Sequence, residues 1–227
     1  MNRNDARIIA GMKKQAGLRE SLPSDAGRLG WKSGFGTEGA MALIGVEQPL
    51  TGFLTSATRL GSGASVGIGE WTTPLLEAEV AVRIDSPVEP GASPEEGASA
   101  IGAVAAAVEL VDLGAIDSVE EILGGNIFHR HVLLGEFREC GPDDLEQVRI
   151  SVTVNGDESE PSDPREVIGD IGKVVAALAD QADLIGDSFL PGDVIITGAA
   201  VPPAPVQPGD SYAVSINGGS TVAVDLV

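Results

Sequence analysis

The run Leu76-Glu77-Ala78-Glu79-Val80-Ala81-Val82 sets two carboxylates two residues apart within an otherwise apolar stretch. From Ala78 to Ile84 apolar and polar residues alternate, the pattern of a β-strand. Residues i and i+2 of a strand project from one face, so Glu77 and Glu79 present a pair of carboxylates on the same side. Such a pair occurs on solvated strand faces, where water screens it. Brought together out of water, the two charges repel unless something positive lies between them. A hard, oxygen-preferring cation such as Mg2+ or Mn2+ meets that need.

The rest of the chain is patterned for a β-rich fold with flanking helices. Val132 to Phe137, Val148 to Asn155, Asp193 to Thr197, Ser211 to Asn217 and Thr221 to Leu226 read as strands. Asn155-Gly156 is a hairpin turn and Asn217-Gly218-Gly219 a second turn. Helices are expected over Asp5 to Gln15, with Gly17 as the stop, and over the small-residue run Ala98 to Val108. A short helix is expected at Ser118 to Leu123, where Ser118 and Glu121 form a capping-box pattern. Another is expected from Arg165 to Ile185, opened by Pro164. Trp31 to Val46, with glycines at 34, 36, 39 and 45, suits short strands and turns. The simplest architecture is α+β and β-rich, one domain over 1–227, with a helical N-terminal segment (1–29) and a β-rich core (30–227).

Charge removes some function classes. The 227 residues carry 34 acidic against 14 basic side chains, a formal net charge of −20. Such a surface repels nucleic acid and anionic membranes, so neither is expected as a partner. High-salt adaptation and a GC-rich genome both produce this composition. The longest apolar stretch, Ala98 to Val108, is too short to span a bilayer. Met1 to Gly11 shows no apolar signal-peptide core, and Cys140 is the only cysteine, so a reducing cytoplasm is the expected setting.

Beyond the glutamate pair, Glu109 and Asp112 close an unusually apolar segment. They share a face if that segment is helical and do not if it is extended. Lys32, within Gly30-Trp31-Lys32-Ser33-Gly34-Phe35-Gly36, is suited to half-burial, where a lysine can trade protons; a lysine lying along the surface fits the same residues. His129 and His131 could bind a metal but lack a third partner by spacing. Cys140, beside Glu139 and Asp143, is expected to be inert.

Taken in order, several segments resemble the 2-keto-4-pentenoate hydratase/4-oxalocrotonate decarboxylase branch of the fumarylacetoacetate hydrolase superfamily. Gly30-Trp-Lys-Ser-Gly-Phe is similar to its Gly-x-Lys-x-Gly segment, and Gln48-Pro-Leu-Thr-Gly-Phe-Leu to its Pro-x-x-Gly-x-Leu segment. Glu77-Ala-Glu79 resembles the metal-binding Glu-x-Glu. Ala107-Val-Glu109-Leu-Val-Asp112 resembles the segment that supplies a third carboxylate. Leu190-Pro-Gly-Asp-Val-Ile-Ile-Thr-Gly and Val206-Gln-Pro-Gly-Asp210 resemble its late Gly-Asp-x-Ile-x-x-Gly and Pro-Gly-Asp pair.

The resemblance implies a β-roll or barrel-like fold with peripheral helices. It implies Mg2+ or Mn2+ held by Glu77, Glu79 and Glu109, with Asp112 as an additional candidate, and Lys32 as the proton-transfer residue. Ser33, Gly34, Leu50, Thr197 and Gly198 fall where substrate is bound. The implied substrate is a small 2-oxo acid, and the implied reaction is hydration of a 2-hydroxy-2,4-dienoic acid. Decarboxylation of a 2-oxo acid, acylpyruvate hydrolysis and a non-catalytic partner role are the alternatives. A homo-oligomer, or a complex with a related decarboxylase or hydratase, is implied too. Three positions depart from the pattern: Leu50 stands where some hydratases have Asp, Leu113-Gly114 where Ser-Arg is frequent, and Ala199 where a small polar residue is frequent.

Overall fold

The computed structural model describes residues 5–227; residues 1–4 of the expected N-terminal segment lie outside them. In chain order the elements are α1 (Ala6–Glu20), β1 (Arg28–Gly34), α2 (Glu38–Ile44), β2 (Leu50–Thr55), β3 (Arg59–Leu60), β4 (Ala64–Val66), β5 (Pro74–Ile84), α3 (Pro94–Ser99), β6 (Ile101–Asp112) and α4 (Val119–Gly124). There follow β7 (His129–Leu134), β8 (Arg138–Glu139), β9 (Ile150–Val154), β10 (Asp157–Glu158), α5 (Arg165–Ile168), α6 (Ile171–Asp183), β11 (Val194–Ala199), β12 (Ala204–Pro205), β13 (Ser211–Ile216) and β14 (Ser220–Leu226). The strands form two sheets. The larger runs β2-β1-β11-β5-β6-β7-β3, with β12 also on β5 and β8 on β6. The smaller runs β10-β9-β13-β14-β4. The β-rich α+β architecture is therefore the one the patterning predicts.

The two long central strands, β5 and β6, organise everything else. Their even-numbered residues Val80, Val82, Val104, Ala106 and Val108 enter the main core with Ile150, Val214 and Val222 of the smaller sheet. Their odd-numbered residues Ala81, Ala105 and Ala107 face the other way, in a cluster with Leu54, Val132 and Ile196. A strand buried on both faces loses its alternation. This explains a misreading: the run Ala98 to Val108, expected as a helix, is almost wholly β6, and only the short α3 precedes it.

Other expectations shift for local reasons. The helix expected over Arg165 to Ile185 is broken at Gly169, whose φ of 76° and ψ of −156° are non-helical. Asp170 then caps α6 by accepting the Lys173 N–H at 2.7 Å. Within Trp31 to Val46, read as strands and turns, Thr37 caps the helix α2 and Gly45 ends it at φ 67°. α1 continues past Gly17 to Glu20. The hairpin turn at Asn155-Gly156 is present, at φ 52° and 94°, between β9 and β10.

Curvature of the larger sheet follows from one contact. Strands β1 and β6 are three places apart, which in a flat sheet is roughly 14 Å. Yet Lys32 of β1 is ion-paired with Glu109 of β6. The sheet therefore curls into a half-barrel, with Ala81, Ala105 and Ala107 of β5 and β6 on its crowded concave side.

Gly52, paired with Lys32 across β1–β2, leaves room for that lysine. A Cβ there would lie 2.6 Å from Lys32 Cγ and 2.9 Å from Asn126 Oδ1. We expect Gly52→Ala to cost about 1–3 kcal/mol of stability, the usual range for overpacking. Urea denaturation checks this, and an unchanged midpoint would show that Lys32 can move aside freely.

Candidate active site

Three glutamates meet on the concave face. The β5–β6 register places Glu77 directly opposite Glu109, with Glu79 two residues along on the same side. One oxygen from each of the three lies within 4.8 Å of the others. Glu79 and Glu109 are fully buried, and Glu77 is partly open to a cavity.

Each carboxylate has a distinct setting. Glu79 Oε2 accepts the Gly198 N–H at 2.6 Å, and Glu79 Oε1 has no partner. Gly198 (φ 101°) lies where the β11–β5 register shifts, a local irregularity that re-aims its N–H. Glu109 Oε1 receives both Lys32 Nζ and His129 Nδ1, the latter at 2.6 Å, while Glu109 Oε2 is buried without a partner. Lys32 is itself buried and also donates to the Ile127 carbonyl at 3.2 Å.

Electrostatics separate the three acids. Burial, reinforced by the charge of Glu109 and opposed by Lys32, pushes the Glu77 carboxyl up to about 7. Burial, with Glu109 and Glu77 adding, pushes Glu79 well above the usual carboxylate range. Burial also acts to raise Glu109, but Lys32 and His129 together outweigh it and hold that acid below its ordinary value. Two buried, unpartnered oxygens among three clustered carboxylates fit a hard divalent cation, which takes oxygen ligands and offsets their repulsion.

Asp112 is not brought to the cluster. β6 is extended, so Asp112 faces away from Glu109. Its carboxylate accepts the Thr72 and Thr73 N–H groups, both at 2.9 Å, and pairs with Arg130 at 3.0 Å. Leu50 is a second correction: it does not line the cavity but is buried with Ile8, Met12 and Leu123 beneath α1 and α4. Ser33, Gly34, Thr197 and Gly198 do line it. Ser33 Oγ is buried with no protein partner, which leaves it free for a ligand. Thr197 Oγ1 donates to the Val80 carbonyl at 2.9 Å, so only its lone pairs remain available.

His129, which carries no sequence signal for this role, is a partner of Glu109. Its Nε2 lies 2.9 Å from Thr58 Oγ1, so both ring nitrogens are engaged and the ring backs Glu109 from outside the cavity wall. His131 stacks on Trp71 instead, with ring centroids 6.1 Å apart, so the two histidines do not form a metal pair. Burial, with Asp144 and Glu139 adding, pushes the Cys140 thiol up to about 11, in keeping with an inert cysteine.

Residues 38–227 match the fumarylacetoacetate (FAA) hydrolase C-terminal family. The chain belongs to the fumarylacetoacetate hydrolase family. Among its relatives, a 4-oxalocrotonate decarboxylase of Pseudomonas putida is 28% identical over 204 residues, covering 88% of this chain and 77% of the relative. A 2-hydroxyhexa-2,4-dienoate hydratase of Comamonas testosteroni is 26% identical over 205 residues, covering 87% and 78%. The solved structure of 4-oxalocrotonate decarboxylase from Pseudomonas putida G7, complexed with magnesium and adipate, superposes with a TM-score of 0.85. It is 25% identical, over 96% of this chain and 85% of that one. The half-barrel with peripheral helices is thus a fumarylacetoacetate hydrolase-like fold. Relatives in this family carry both hydratase and decarboxylase names at similar identity, and related structures hold magnesium or calcium.

The ordinary value for a glutamate, 4.5, lies below the value of about 7 for Glu77. At this residue the folded chain therefore holds more protons than the unfolded one between these two values. The stability contributed by protonated Glu77 is full below the lower value and lost as pH rises through the upper one. In EDTA, thermal unfolding should show the native chain losing stability relative to Glu77→Gln as pH rises from about 5 to about 8. Parallel pH curves for the two proteins would contradict this electrostatic picture.

Proposed function

We propose that this chain is a divalent-metal-dependent hydratase, a lyase that adds water to a 2-hydroxy-2,4-dienoic acid to give a 4-hydroxy-2-oxo acid. The observation that carries the reading is the cluster of Glu77, Glu79 and Glu109, with buried unpartnered oxygens, directly beside Lys32. The three glutamates would hold Mg2+ or Mn2+. A cation bound there supplies Lewis-acid stabilisation of negative charge developing on the substrate's C2 oxygen.

The chain's own residues supply the rest. Lys32 Nζ, fixed by Glu109 and the Ile127 carbonyl, is the proton-transfer group. Ketonisation of the dienol removes the proton of the C2 hydroxyl and places one on C5. Water oxygen then bonds to C4, and the water's proton completes C3, so one water is added across one double bond. The Ser33 hydroxyl and the walls at Gly34, Thr197 and Gly198 orient the substrate. His129 positions Glu109 by donating to its Oε1. Because His129 is spent on Glu109 and Thr58, no free histidine base faces the cavity among the described residues, which disfavours carbon–carbon hydrolysis. Decarboxylation uses the same enolate chemistry and is the second reading, supported by the relatives that carry that name.

Purified, metal-stripped protein should consume 2-hydroxypenta-2,4-dienoate, followed by loss of its ultraviolet absorbance, only after Mg2+ or Mn2+ is added. Lys32→Ala should lower turnover by about 10²–10⁴-fold, the range for a general acid–base group, with metal binding retained. No turnover of this compound with metal bound would overturn the hydratase reading in favour of the decarboxylase. Unchanged turnover in Lys32→Ala would remove Lys32 from its role.

A further inference from the structure

We infer that the cavity beyond the carboxylate cluster selects a monocarboxylic 2-oxo acid with an extended apolar tail and rejects a dicarboxylate. The inference rests on the cluster being the head-group site and on the hydratase reading, as proposed above, and goes beyond them to the rest of the substrate; a dicarboxylate such as 4-oxalocrotonate falls outside it.

Lys32 and Glu77 are the only charged residues lining the cavity among those described, and both belong to the cluster. Every other lining residue is neutral, and most are apolar: Leu75, Leu113, Ile116, Phe128, Val167 and Pro202 form the walls. The head of a 2-oxo acid engages the charged end. Whatever extends from C4 onward therefore meets hydrocarbon. A second carboxylate placed there would give up its water without gaining a cationic side chain, a transfer that is strongly unfavourable. The net charge of −20 adds a further bias, because a dianion is repelled more than a monoanion.

Size argues the same way. The cavity volume is about 450 Å³, within the ~300–1,000 Å³ of sites that enclose drug-sized ligands. A five-carbon dienoate would leave most of it unfilled. The apolar lining also continues outward: Ile116 is 41% exposed, a large hydrophobic side chain at the rim with no polar cover. An alkyl or aryl tail would cover it and so shield it from water.

Binding, read without turnover, tests this. Isothermal titration calorimetry in saturating Mg2+ would compare 2-oxobutanoate, 2-oxohexanoate, 2-oxooctanoate and 2-oxoadipate. Burial of tail methylenes predicts about a fourfold gain in affinity for each one added. The second carboxylate predicts that 2-oxoadipate binds at least about tenfold more weakly than 2-oxohexanoate. Ile116→Arg, at an exposed position, should narrow that gap by strengthening 2-oxoadipate, and should weaken 2-oxooctanoate, whose tail loses the Ile116 side chain. Binding of all four acids without dependence on the tail, or tighter binding of 2-oxoadipate to the native chain, would overturn the inference and leave the head-group site standing. Binding of none would overturn the head-group reading and the tail with it.

Discussion

Three carboxylates and one ammonium, withdrawn from water on the concave side of a curled sheet, form the constraint around which this molecule is arranged. Lys32 neutralises one charge, and it does so at Glu109. Glu77 and Glu79 then carry their penalty either as protonated acids, which is the direction their burial drives them, or as ligands of a cation. Removing one partner of a buried pair costs more than the pair contributes, because the survivor is left uncompensated. Lys32 is thus tied to the fold as well as to the proposed chemistry. The room made for it by Gly52 and the support of Glu109 by His129 serve the same contact.

The constraint also links the electrostatics of the whole chain to its substrate. A protein of net charge −20 is a poor host for an anion unless a local positive centre receives it. On the proposed reading the cluster provides one only when a cation is bound, so metal and anionic substrate would depend on each other. Outside the cluster the cavity lining is neutral and mostly apolar, which on the inference drawn above separates the region where charge is handled from the region that recognises the tail.

Much of this was legible in the residues, and the failures have physical causes. The Glu77–Glu79 strand could be read because its polar positions alternate with apolar ones. Its neighbour could not: β6 is apolar on both faces, and its alanine-rich run has no period to distinguish strand from helix. That ambiguity left Glu109 and Asp112 undivided until the strand separated them onto opposite faces. The break at Gly169 carried a signal, a glycine stop followed by the N-cap Asp170, but the apolar pattern on either side of it reads as one continuous helix. Leu50 was placed near substrate because of the motif around it, but its side chain turns into the packing beneath α1. His129 carried no local signal, since it meets Glu109 only through the β6–β7 pairing. The walls at Ile116, Phe128 and Pro202 come from connections between elements, where spacing says little about direction.

Electron paramagnetic resonance of Mn2+ titrated into the metal-stripped protein asks whether Glu77, Glu79 and Glu109 together hold a divalent cation. One Mn2+ should bind per chain, with binding lost in Glu79→Gln and kept in Asp112→Asn. Absence of a bound Mn2+ signal in the native chain, or binding that survives Glu79→Gln unchanged, would contradict a site built on these three glutamates.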